Sequence, residues 1–161
     1  MRLAPELRAR DGHLISGGSS GAPVHAGSFL RTREIVLESE LLDQPMEFAR
    51  IFLHEVFHFV WRCAGNPLRR SWEALLEGEW RRGARGELGW SAEGRKRRLG
   101  PGDRAARSRR WREYACESFC DSAAWLLGGA REHEEFTLAR RFRENRRRWF
   151  GPLLSRAALR V

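Results

Sequence analysis

Residues Arg50 to Cys63 read RIFLHEVFHFVWRC, and this segment constrains the fold more than any other. Phe48, Ile51, Phe52, Leu53, Val56, Phe57, Phe59, Val60 and Trp61 surround it on all sides. A helix that is apolar all round is buried, not laid on the surface. Inside it stand His54, Glu55 and His58, the pattern HExxH. Histidines four residues apart share one helical face, one turn apart, so two imidazoles can meet one metal ion. Glu55 lies on an adjoining strip, where it can reach a water beside that metal and act as general base. Each unpaired buried polar group costs a few kcal/mol, and a single cation satisfies all three. The plainer alternative is a core helix with two satisfied histidines and an ion-paired glutamate.

HExxH supplies two ligands, whereas a catalytic zinc site takes three from the protein and leaves one position open. The third is expected on a second long helix, Trp111 to Leu127, WREYACESFCDSAAWLL, which Gly128-Gly129 ends. Glu117 is the first choice. It shares a face with Cys120, Asp121 and Ala124, at i+3, i+4 and i+7, and small residues there let two helices approach closely. Asp121 can accept a hydrogen bond from a ligand histidine and fix its tautomer. Glu113, Glu73, Glu77 and His133 stay open as third ligands, and Glu117 could equally pair with one of many arginines. Cys116 and Cys120 read as small buried side chains. A second zinc site built on them is the other reading, although no CxxC pair supports it.

HEVFH followed by ESFCD resembles the gluzincin division of zinc metallopeptidases, which join HExxH to a downstream ExxxD. The layout REIVLESELLDQPMEFARIFLHEVFH, then ESFCDSAAWLL, is similar to the minimal ImmA/IrrE-type bacterial metallopeptidases. The resemblance covers residues 29–63 and 113–127. It implies an α+β, zincin-like fold, in which a small sheet packs on the HExxH helix and the second ligand helix. It also implies zinc held by His54, His58 and Glu117, Glu55 as catalytic base, and a peptide or protein substrate. The chain departs from the group in three places. Cys120 and Asp121 stand where the group tends to have Ala and Asn, the interval from His58 to Glu117 is long, and Gly128-Gly129 replaces Met-Pro.

The remaining elements are read from local signals. Residues 1–28 show no clear pattern, and Ser16 to Gly21 reads as a flexible connection. Phe29 to Leu37, FLRTREIVL, reads as one strand, able to hold substrate as an added strand if it lies at a sheet edge. Asp43 is the expected N-cap of the HExxH helix, Pro45 lies in its first turn, and Gly65-Asn66-Pro67 stops it. Ser71 to Trp80 reads as a short amphipathic helix with Trp72, Leu75, Leu76 and Trp80 inward. Residues 81–110, basic and rich in glycine, read as a mobile, mostly loop insertion, with Gly86 to Trp90 as an ordered patch. Residues 131–150 read as a charged helix with Phe136, Phe142 and Trp149 inward.

The 161 residues suit one domain with a real core. Three cysteines are too few for a disulfide framework. No run of about 18 apolar residues is present, so no membrane span is expected. The first residues lack the apolar stretch of a secretory signal, so a cytoplasmic location is expected. Net charge is +9, and all but one of the 30 basic residues are arginine, the exception being Lys96. That skew fits a GC-rich coding genome as well as a nucleic-acid surface, and any such binding is expected to be non-specific. The alternative to an enzyme is a zinc-stabilised, non-catalytic module that binds nucleic acid or a protein partner through Arg81 to Arg112. Glu55 argues against it, because a closed structural site has no use for a positioned base. Tyr114, the sole tyrosine, and His133 are the candidate oxyanion donors.

Overall fold

The structure, a computed structural model, describes residues 1–11, 13–17 and 20–155. It is α+β. Six strands come first: β1 (Arg2–Ala4), β2 (Leu7–Arg10), β3 (His13–Ser16), β4 (Ala22–Pro23), β5 (Ala26–Phe29) and β6 (Glu34–Glu38). Five helices follow: α1 (Pro45–Cys63), α2 (Asn66–Arg81), α3 (Trp90–Arg97), α4 (Arg109–Leu127) and α5 (Arg140–Ser155). The strands form two three-stranded sheets, ordered β1-β6-β5 and β3-β2-β4. β1 runs parallel to β6, and β5 pairs antiparallel with it, Gly27 opposite Val36.

α1 lies between the first sheet and α4, which explains why its sequence is apolar on every side. Towards the sheet, Ile51 and Phe59 pack with Ile35, Leu37 and Leu41. On the other side, Phe57 and Val60 join Trp72, Tyr114, Phe119 and Phe150 in the main core. A smaller core joins Leu88, Trp125, Phe136, Leu138 and Phe142. Among the described residues no helix is long and apolar enough to cross a membrane.

Several boundaries differ from those read in the sequence. The segment 29–37 is not one strand. It turns at Leu30–Arg33, where Arg33 adopts a φ of +54°, and the two sides form the β5–β6 hairpin. β6 is therefore the central strand, and β5 is the edge. Asp43 does not cap α1. It ends a 3-10 turn, Ser39–Asp43, and Gln44 takes the cap position with no side-chain bond. α2 begins at Asn66, earlier than the amphipathic pattern, because Pro67 falls in its first turn, where a missing N–H costs nothing. Trp80 is exposed, while Glu73 and Glu79 face inward. Residues 131–139 precede α5 and are not helical. Of the connection Ser16 to Gly21, residues 18 and 19 lie outside the described residues.

The stretch 81–110, expected as mobile loop, is largely packed. It contains α3, which rests on α4, and it buries Ala84, Glu87, Leu88 and Ala92. Its apolar residues are too sparse to show a period. Its charges hold it in place instead: Lys96 Nζ is 2.9 Å from Glu87 Oε1, and Arg107 makes a two-pronged pair with Glu73.

Candidate metal centre

α1 and α4 pack closely, and the contact brings His54, His58 and Glu117 into one group. His54 Nε2 is 3.2 Å from His58 Nε2. Glu117 Oε2 stands 3.3 Å from His54 Nε2 and 3.8 Å from His58 Nε2. In a tetrahedral zinc site with bonds of about 2.0–2.1 Å, neighbouring nitrogen and oxygen donors stand about 3.3 Å apart. The three atoms therefore fit a cation of that size. The donor set, two imidazoles and a carboxylate, suits zinc in the arrangement that leaves one position open.

The groups behind the donors are equally specific. Asp121 Oδ1 lies 2.7 Å from His54 Nδ1, so it accepts that N–H and leaves Nε2 with a lone pair facing the group. The same carboxylate accepts the Ala92 backbone N–H at 2.9 Å through Oδ2. Arg95 holds the second oxygen of Glu117, Oε1, at 3.0 Å. Burial opposes charge on Glu117, but His54, His58 and Arg95 outweigh it and hold its pKa at about 2. Burial likewise opposes charge on His54, but Asp121 and Glu117 outweigh it and keep the protonated imidazole well above its ordinary range. Two carboxylates and two imidazoles thus surround the group.

Both supporting contacts come from the insertion. Gly89, just before α3, is what allows it to approach. A Cβ there would sit 2.3 Å from the Asp121 carboxyl carbon. Its φ of −176° is ordinary extended backbone, so the requirement is for space and not conformation. Gly89, Ala92 and Arg95 escaped the sequence reading because nothing in a basic, glycine-bearing run marks which residues turn inward.

Glu55 and His54 line a cleft of about 310 Å³, together with Asp121, Trp90, Ser91 and, from the sheet side, Val24, His25 and Ala26. His58 and Glu117 are not part of its wall. A neighbouring cavity of about 660 Å³ shares His25, Trp90 and Glu135 with it. His25, which sequence reading missed, has its Nδ1 2.7 Å from Glu38 Oε2.

The other residues weighed for the site are elsewhere. Glu113 pairs with Arg109 on the exposed side of α4, and Glu73 with Arg107. Glu77 lies on α2 outside the group. His133 stands with Glu47, its Nε2 3.4 Å from Glu47 Oε2, where Arg50 already pairs with both Glu47 and Glu135. Tyr114 points into the core and donates its hydroxyl to Glu87 at 2.5 Å, so it cannot serve an oxyanion in the cleft.

Comparison of the chain with protein-family models, with curated proteins and with solved structures gave no match.

Proposed function

We propose that the chain is a zinc-dependent metallopeptidase with a zincin-like arrangement of the gluzincin type, acting on peptides or proteins in the cytoplasm. The observation that carries this reading is the convergence of His54 Nε2, His58 Nε2 and Glu117 Oε2, with Glu55 on the same helix opening onto the cleft. Three free cysteines suit a reducing compartment. His54, His58 and Glu117 would hold zinc, which would supply Lewis-acid polarisation of the scissile carbonyl and activation of water. Glu55 takes a proton from the attacking water and passes it to the leaving amide nitrogen. Asp121 keeps His54 in the tautomer that presents Nε2, and Arg95 keeps Glu117 turned so that Oε2 faces the histidines. His25 lines the cleft wall beside this group, its ring fixed by Glu38 at Nδ1. β5 is a sheet edge and Ala26 lies in the cleft wall, so an extended substrate pairs there as an added strand.

The alternative, a zinc-stabilised, non-catalytic module that binds nucleic acid or a protein partner through its arginines, has less support. Arg95, Lys96 and Arg107 of the basic stretch face carboxylates of the protein itself, not an open surface for phosphate.

Metal analysis tests the ligand set. Wild type is expected to hold one zinc per chain in the His54–His58–Glu117 group. Glu117→Gln should lose it, whereas Glu113→Gln and Glu77→Gln should keep it. Unchanged zinc content and affinity in Glu117→Gln would remove Glu117 from the site.

Gly89→Ala tests the supporting contacts. The added methyl must push Asp121 off His54 Nδ1 or lift the start of α3. Loss of such a partner lowers metal affinity or activity by about 10–100-fold. Zinc affinity measured by competition with a chelator, and equal to wild type, would show that Asp121 does not orient His54.

A further inference from the structure

His58 differs from His54 in what stands behind its ring. A ligand imidazole ordinarily gives its other N–H to a carboxylate, a carbonyl or a water, as His54 does to Asp121. His58 Nδ1 instead meets two thiols, Cys120 Sγ at 3.5 Å and Cys116 Sγ at 3.6 Å. Thiols are weak hydrogen-bond partners, and one ring nitrogen has at most one proton for two sulfurs. The cysteines stand four residues apart on α4, the same spacing that lets the two histidines of α1 share a cation. Their sulfurs and the nitrogen all lie within 4.8 Å of one another. Around a tetrahedral ion with bonds of about 2.3 Å to sulfur and 2.0–2.1 Å to nitrogen, these donors stand about 3.6 Å apart. The two sulfur-to-nitrogen separations already match. Cys120 is buried and Cys116 half-buried, which gives the group a partly solvated edge.

From this geometry we infer that Cys116, Cys120 and Nδ1 of His58 form a second metal site, for a thiophilic cation such as Zn²⁺ or Cd²⁺. Two thiolates and an imidazole are a softer donor set than the two imidazoles and carboxylate next to it. Binding releases the two thiol protons and the Nδ1 proton to solvent, and no electron moves. The two nitrogens of His58 face different groups, so both sites fill together with the ring as a bridging imidazolate. The site does not depend on whether the neighbouring group serves a peptidase.

Cadmium titration of the metal-free protein, with a phosphine reductant present, tests this. Cys63→Ser serves as the parent, so that only the two α4 thiols remain. The expected result is two cadmium ions per chain and a thiolate-to-cadmium charge-transfer band in the ultraviolet. Cys116→Ser and Cys120→Ser should each lose the band and retain one ion. Glu117→Gln should keep the band and fall to one ion. Because Cys120 is buried, Cys116→Ser is decisive should the other variant fail to fold. No band at saturation, or a band that survives Cys116→Ser, overturns the second site. One ion with a band indifferent to Glu117→Gln keeps it and overturns the His54–His58–Glu117 ligand set instead.

Discussion

Glu55→Gln is expected to keep the fold and the metal and to lose about 10²–10⁴-fold in peptidase rate, the usual contribution of a positioned general base. The amide has the shape of the carboxylate but cannot take a proton. Glu55 lines the cleft and is not one of the three clustered donor residues, so its replacement leaves their geometry intact. Turnover of an internally quenched peptide mixture, with zinc content measured on the same samples, gives the answer. Full activity in a zinc-loaded Glu55→Gln protein would reject the mechanism. Loss of activity that merely follows loss of zinc would move Glu55 from base to structural support.

The two helices that carry the candidate centre were legible in the sequence because α1 packs on two sides, against the first sheet and α4, and α4 is buried over most of its length. Burial writes a dense apolar pattern, and the polar exceptions, His54, Glu55, His58, Glu117 and Asp121, stand out against it. Of the sheets, only β6 was legible, inside the strand read over 29–37. The strands are two to five residues long, too short for alternation to appear. The edge strand β5 and His25, both in the cleft wall, fell within that unreadable part. The insertion was misread for a different reason. Its order depends on charges whose partners lie far along the chain, Glu87 with Arg146 and Glu73 with Arg107. In a chain with so many arginines, nothing local distinguishes one in the core from one in water.

Arg146 illustrates this most sharply, and its replacement should be the most destabilising single change outside the metal centre. It stands on the charged helix α5, but its side chain has no solvent exposure. Its guanidinium donates to Glu79 Oε2 at 2.8 Å, to Glu87 Oε2 at 2.7 Å and to Ser122 Oγ at 3.1 Å. Glu87 also accepts from Tyr114 and Lys96. One network thus ties α2, the insertion, α4 and α5 together. Arg146→Met removes a cation from between two buried carboxylates and should cost about 3–5 kcal/mol. That is a large share of the roughly 5–15 kcal/mol by which domains are stable. Burial pushes the Glu87 pKa up, but Arg146 and Lys96 outweigh it and hold it at about 2, against an ordinary 4.5. A carboxylate depressed on folding contributes stability above its unfolded pKa and loses it as pH falls through the folded one. The wild type should therefore weaken between about pH 4.5 and 2, and Arg146→Met should show a shallower acid loss from a lower starting stability. Adding Glu79→Leu to Arg146→Met should recover part of the deficit, since removing both partners of a buried pair costs less than removing one. Urea unfolding at pH 7 and pH 4 for the three proteins decides it. A change under about 1 kcal/mol in Arg146→Met, the size of an exposed pair, would show that the network does not hold these elements together.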